Sequence, residues 1–279
     1  MVDSGLWELQ NLIIDLRWNG QPDWDESVIA PLLEQRPTIL AFLHDVGRPE
    51  ARGPLPGGDE NLWDLYVLSR LTDILIAPHQ PVNDDPALIA WTTKEPWWSG
   101  PLPSRSAWSA TIAALGATRI AEDAFHPFFH EIVAVEPADD PDEEPSLVAE
   151  HWPGALIGSL LLTRSGVTVR AGRHRLDPEV AARSCLYWGW YRRNRIVRDL
   201  SHGWGQNSQW RTDFRRDYVT PEALYYNVDA HGDRSSPADD DEDLTGSDRE
   251  DLVRFRHGRL RDLGTDRWPY YDRLSDPRE

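Results

Sequence analysis

The hydrophobic pattern of this chain changes its period near residue 127, and no other feature of the sequence constrains the fold as strongly. Before that point apolar residues recur at helical spacing, as in SGLWELQNLIIDLRW (4–18) and NLWDLYVLSRLTDILIAP (61–78). After it, short apolar runs dominate, beginning with FFHEIVAVE (128–136). The sequence therefore predicts an α+β fold. We expect a mainly helical lobe in residues 1–120, packed on a mixed or antiparallel sheet with flanking helices in residues 121–279, as one compact body.

Several element boundaries follow from local signals. SAWSATIAALGATRIAEDAF (106–125) is predicted as one helix, and ALIGSLLLTRSGVTVRAG (155–172) as a hairpin with its turn at Ser165 and Gly166. A helix is predicted to begin at Asp177 as N-cap, with a proline at its first position. ALYYNVDA (223–230) is a predicted strand. A last helix follows, in which Ser247 and Glu250 have the spacing of a capping box.

Composition narrows the classes of function. The formal net charge of −18 repels a phosphate backbone, so we expect no nucleic-acid partner. We also expect no membrane partner and a cytoplasmic location, because the sequence has neither a long apolar run nor an apolar signal core at its start. The single cysteine excludes a cysteine-based zinc site, so a metal would need His, Asp or Glu ligands.

The stretch DLSHGWGQNSQWRTDFRRDY (199–218) has neither a helical nor a strand period, and we predict that it is a ligand-binding loop. His202 titrates near neutral pH and is a candidate catalytic base or metal ligand, with Asp199 orienting its imidazole. The stretch also holds flat aromatic walls and convergent hydrogen-bonding groups. The predicted substrate-binding residues are Trp204, Asn207, Ser208, Gln209, Trp210 and Arg211.

A second motif, FHPFFHE (125–131), places two histidines four residues apart. Pro127 favours an extended backbone before it, so the pair would join a loop to the start of a strand. We predict that His126, His130 and His202 bind one divalent metal, zinc or iron, with Glu131 or Asp199 as a fourth ligand or catalytic partner. The alternative is a metal-free enzyme in which His202 is the general base.

The hexapeptide FLHDVG resembles the His-Asp doublet of the HD phosphohydrolases, in which both residues bind a metal. That family also uses an earlier histidine, and none precedes His44 in this chain. The resemblance therefore covers six residues around His44 and Asp45, and the sequence does not predict membership of the family.

These features lead to two hypotheses of different classes. The first is an enzyme that acts on a small polar or anionic molecule, by metal-assisted hydrolysis or by Fe(II)-type oxidation. The second is a non-catalytic acidic binding protein, of the immunity type, for a basic protein partner. It rests on the net charge and on two acidic stretches that would attract a basic protein, EPADDPDEEPSLVAE (136–150) and 229–251. The sequence leaves the oligomeric state open.

Overall fold

A computed structural model confirms the α+β fold. It describes residues 5–19, 33–34, 37–53, 55, 59–76, 79–80, 104–183, 216–230, 244–257, 260–263 and 272–278. The described helices are α1 (Leu6–Asn19), α2 (Pro37–Val46), α3 (Asp59–Ile76), α4 (Arg105–Ala114), α5 (Pro178–Arg183) and α6 (Gly246–Arg254), with a 3-10 turn at Pro49–Arg52. Among these helices, none is long and apolar enough to cross a membrane.

The strands form two sheets. They are β1 (Thr118–Arg119), β2 (His130–Pro137), β3 (Ser146–Trp152), β4 (Ala155–Ile157), β5 (Leu160–Thr163), β6 (Ser165–Ala171), β7 (Tyr218–Val219), β8 (Ala223–Tyr226) and β9 (Leu274–Pro277). The larger sheet has the order β1-β4-β5-β7-β8-β9 and all its pairings are antiparallel. The smaller sheet has the order β2-β6-β3, in which β2 runs parallel and β3 antiparallel to β6.

The N-terminal helices bury their apolar faces against the larger sheet. In α3 the helical spacing predicted for residues 61–78 is confirmed where it is described, because Leu65, Leu68 and Leu71 are buried along one face. The same hydrophobic cluster includes Ile157 of β4 and Leu160 of β5. Helices at this face therefore hold the short β4–β5 hairpin in place.

The predicted helix over residues 106–125 is wrong in its second half. α4 ends at Ala114, and Gly116 follows with a φ of 78°, a left-handed conformation that ends a helix and that glycine adopts without strain. Thr118 and Arg119 then pair with β4 as β1. The helical period of the sequence continued past the glycine, but the backbone changed direction there.

The predicted hairpin turn at Ser165 and Gly166 is also wrong. The turn lies at Gly158 and Ser159, between β4 and β5, and Gly158 has a φ of 55°. Ser165 instead begins β6 in the other sheet, where Gly166 leaves room for the Trp152 ring. Both pairs of small residues suit a turn, and only the packing against Trp152 distinguishes them.

The start of α6 is shifted from the predicted capping box. Thr245 is the N-cap and Asp248 is its partner, and each side chain bonds the other residue's backbone N–H. Serine and glutamate at 247 and 250 have the spacing of a capping box, but the helix begins two residues earlier. By contrast, Asp177 caps α5 as predicted, since its Oδ1 accepts from the Glu179 N–H at 2.9 Å.

We expect Gly158→Ala to lower the free energy of unfolding by roughly 2 kcal/mol or more. A methyl group there would be held at positive φ and would collide with the backbone of Gly47, whose carbonyl accepts from the Ser159 N–H at 2.7 Å. Gly246→Ala is the matched control, because no atom lies within 4 Å of the place its methyl group would take and its φ is not positive. Urea unfolding measures both; equal stability of the two variants would contradict the described turn.

Candidate functional site around His130

His130 lies in a cleft between the smaller sheet and the segment that follows β1. The cleft has a volume of about 410 Å³, within the range of small-molecule sites. Its polar lining is Arg119, Glu122, Asp123, His130, Glu150 and Ser165, and its apolar lining includes Ile120, Leu147, Val148 and Val167. We call this the His130 cleft.

The backbone before β2 fixes the imidazole of His130. Its Nδ1 lies 3.0 Å from both the backbone nitrogen and the carbonyl oxygen of His126, and its ring centroid is 5.9 Å from that of Phe125. The residue is only 4% exposed. Among the described residues Nε2 has no hydrogen-bond partner, and His130 is one of the residues that line the cleft.

Burial lowers the pKa of His130 below its ordinary value of 6.5. The hydrogen bond to His126 and the carboxylates of Glu122 and Glu150 oppose this shift, and Arg164 adds to it. The imidazole is therefore neutral at pH 7. A neutral imidazole with a free nitrogen can accept a proton or bind a metal.

The other polar groups of the cleft have defined partners. Arg119 donates through Nη2 to Glu150 Oε1 at 2.8 Å, and Arg105 lies 3.9 Å from the same oxygen. The Ser165 hydroxyl oxygen accepts from the Gly154 N–H at 2.7 Å. Glu150 thus closes one side of the cleft as an ion pair, and its closer guanidinium partner belongs to β1.

Of the three residues that the sequence singled out in FHPFFHE, only His130 lines the cleft. The His126 ring packs beside Phe129 at 5.7 Å, and its Nδ1 accepts from the Phe128 N–H at 3.1 Å. Burial lowers the pKa of His126 as well. Glu131 is 1% exposed, and strand alternation turns it to the sheet face opposite His130.

The remaining predicted site residues lie outside the described part of the chain, and their assignment stays a prediction. They are Asp199, His202, Trp204, Asn207, Ser208, Gln209, Trp210 and Arg211. Within the described residues, no group of three His, Cys, Asp or Glu side chains could hold a metal ion. The three-histidine metal site therefore also stays a prediction, since His202 is one of its members.

Of the stretch 199–218, only residues 216–218 are described; Arg216 and Asp217 belong to no helix or strand, as predicted for a loop, and only the last residue of the stretch lies in a strand. Arg216, Asp217 and Tyr218 are all buried, and Tyr218 begins β7. Arg216 binds the Asp229 carboxylate and the backbone oxygen of Gly53, the latter at 3.0 Å. These residues anchor the sheet to the turn after α2.

A buried ion cluster, which no sequence pattern indicated, supports the segment that carries His130. Asp217 Oδ2 accepts from Arg164 Nη2 at 2.7 Å and from Arg256 Nη2. Arg164 also donates through Nε to the Pro127 carbonyl at 3.3 Å. The cluster therefore ties the turn before β2 to the start of β7.

His44 and Asp45, the doublet that resembles the HD phosphohydrolases, lie at the exposed end of α2. Their side chains are 77% and 60% exposed, and His44 Nδ1 is 3.6 Å from Asp45 Oδ1. An exposed pair of this kind lacks the enclosed ligand set of a metal centre.

Comparisons with protein-family models, with curated proteins and with solved structures found no match to this chain. The function of the chain must therefore be inferred from the geometry of the site itself.

We expect the protein to lose stability as the pH falls below about 6.5. His126 and His130 both have pKa values lowered by burial, so the unfolded chain binds protons that the folded chain does not. The free energy of unfolding therefore has its full value above the pKa of an unfolded histidine and declines as the pH falls below it. Urea unfolding at about pH 7.5 and about pH 5.5 measures this decrease in the free energy of unfolding. We expect the decrease to be smaller in His130→Gln. An unchanged loss in His130→Gln, matching that of exposed His174→Gln, would contradict the assignment.

Proposed function

We propose that this chain is an enzyme that acts on a small polar molecule bound in the His130 cleft. The observation that carries the proposal is a buried, neutral imidazole whose Nδ1 is fixed by the backbone and whose Nε2 has no hydrogen-bond partner among the described residues. His130 lines the cleft, and its Nε2 is not one of the fully buried atoms without a partner in the described residues, so a small molecule in the cleft can reach this nitrogen.

The chemistry that this arrangement supports is general base catalysis. Neutral Nε2 removes a proton from a substrate hydroxyl or amine group, or from a water molecule that attacks the substrate. In this role Nδ1 carries the ring proton and donates it to the His126 carbonyl oxygen, both before and after Nε2 takes up a proton, and the carboxylates of Glu122 and Glu150 stabilise the imidazolium. The same bond keeps the ring in one orientation throughout the reaction.

Metal-dependent chemistry is the second form of the same proposal. Nε2 is the atom through which His130 would bind zinc or iron, with His202 and His126 as the other predicted ligands. Loss of turnover on treatment with a chelator, and its recovery on adding zinc or Fe(II), separates this form from metal-free catalysis.

We favour an enzyme over an acidic binding protein because acidic residues of the stretch 136–150 form ion pairs within this chain. Glu143 lies 3.3 Å from Arg170, Glu144 lies 2.9 Å from Arg175, and Asp142 lies 3.1 Å from His174. These pairs reduce the charge that the loop presents to a basic partner.

The experiment that tests the proposal is an unbiased search for turnover. Purified protein is incubated with a cell extract of small molecules, with and without chelator, and the compounds consumed or formed are followed by mass spectrometry. We expect at least one polar compound to be consumed by the protein and not by a heat-denatured sample. Turnover that persists undiminished after His130→Gln would refute the proposed site.

A further inference from the structure

The charges of the His130 cleft bear on the substrate class, and this inference rests on the proposed function. The lining holds three carboxylates, those of Glu122, Asp123 and Glu150, and one guanidinium, that of Arg119. Arg119 is paired with Glu150 at 2.8 Å. The side chains that line the cleft therefore carry a net charge of −2, because three carboxylates exceed one guanidinium by two.

The two carboxylates that carry this excess are weakly neutralised. Glu122 Oε1 lies 3.6 Å from Arg278 Nη2, in a pair whose side chains are 40% and 38% exposed. An exposed pair at that distance contributes little. Asp123 forms no ion pair with any described residue. Glu122 and His130 both line the cleft, so this charge and the imidazole share the same space.

The cleft also has apolar surface beside these charges. Val148 is 46% exposed, and Ile120 and Val167 line the same space. An aliphatic side chain open to a cleft gains by contact with an apolar part of a ligand. Acidic and apolar surface together suit a molecule with a cationic group and a short hydrocarbon body.

We propose that the substrate of the His130 cleft carries a positively charged amine attached to a small apolar body. The ammonium group lies against Glu122 and Asp123, and the body lies against Val148. An anionic substrate, which the sequence alone allowed, would meet the carboxylates unfavourably. His130 itself supplies the independent sign of a ligand, since it lines the cleft, is 4% exposed and has no hydrogen-bond partner for Nε2 among the described residues.

Three probes of nearly equal size test the charge preference: benzylamine, benzyl alcohol and benzoate. Binding is followed at pH 7 and about 0.15 M salt, where long-range attraction to the acidic protein is screened. The signals are the ring resonances of His130 in NMR spectra. We expect benzylamine, as its ammonium form, to bind at least about threefold more tightly than benzyl alcohol, and benzoate to bind most weakly.

Matched double variants locate the effect. Glu122→Gln with Asp123→Asn should abolish the preference for benzylamine. Glu136→Gln with Asp139→Asn removes two exposed carboxylates outside the cleft lining and should leave the preference intact. The same preference in both double variants would overturn the inference, because general attraction to the protein would then explain it.

The outcomes separate this inference from the proposed function. If all three probes perturb His130 with equal affinity, the charge preference is wrong and the cleft remains a binding site. If benzoate binds best, the substrate is anionic and the inference is overturned. If no probe perturbs His130, the inference and the assignment of the cleft as a binding site both fail.

Discussion

Asp217→Ala is expected to lower the free energy of unfolding by about 3–5 kcal/mol. The carboxylate is 2% exposed and is the counter-charge for Arg164 and Arg256, whose side chains are 6% and 4% exposed. Its removal would leave two guanidinium groups buried without a compensating charge. Asp217 Oδ1 also accepts from the Asn227 N–H at 2.8 Å, so a backbone donor would lose its partner as well.

Asp45→Ala is the control for this variant. Asp45 pairs with Arg48 at 3.5 Å on the surface, and both side chains are more than half exposed. We expect its removal to change the free energy of unfolding by less than about 0.5 kcal/mol. Urea unfolding followed by circular dichroism measures both variants. A loss below about 1 kcal/mol for Asp217→Ala would mean that the buried cluster does not hold the fold together.

His130→Gln is expected to reduce kcat/KM for the compound consumed in the turnover search by about 10²–10⁴-fold. Glutamine keeps the size and polarity of the side chain but cannot accept a proton near neutral pH. A general base contributes in that range when it lies within reach of the proton that it removes. In the metal-dependent form, the same variant loses a ligand and should lose bound metal together with activity.

His174→Gln is the matched control for activity. The His174 side chain is 54% exposed and, within the described part of the chain, its ion pair is with Asp142; it does not belong to the cleft lining. We expect it to keep the activity of the unsubstituted protein. Both variants should unfold cooperatively, so that a loss of activity in His130→Gln reports on the site rather than on folding.

The helical part of the fold was predictable because burial there follows a local period. Leu65, Leu68 and Leu71 lie on one face of α3 whatever they pack against, so the pattern is readable without knowing the partner. The hairpin turn was not predictable in the same way. Gly158 and Gly166 are both glycines beside a serine, and the decision between them depends on Trp152, which packs over Gly166 in the folded chain.

The candidate site was predictable only in part. The sequence identified His130 through its spacing of four residues from His126, which suggested a pair of metal ligands. In the structure the His130 ring lies beside Phe125 and the His126 ring beside Phe129, and of the two histidines only His130 lines the cleft. Glu122 and Glu150 come near His130 only through the tertiary packing of β1 and β3, which no local sequence pattern predicts.

The buried cluster shows the same limit more strongly. Asp217 bonds two arginines that lie 53 and 39 residues away in the chain. In the sequence, Asp217 is one of several charged residues in an arginine-rich stretch, and surface exposure is the ordinary expectation for it. Burial and pairing were decided by tertiary packing around β7.

The central claim is that Nε2 of His130 is a neutral nitrogen that meets the substrate in the cleft. The direct measurement is the ¹H–¹⁵N spectrum of the His130 ring at pH 7, recorded before and after addition of the compound that the protein consumes. We predict a neutral ring whose Nε2 resonance shifts on binding, while the resonances of His174 stay unchanged. A ring already protonated at pH 7, or a His130 spectrum unaffected by saturating compound, would contradict the claim.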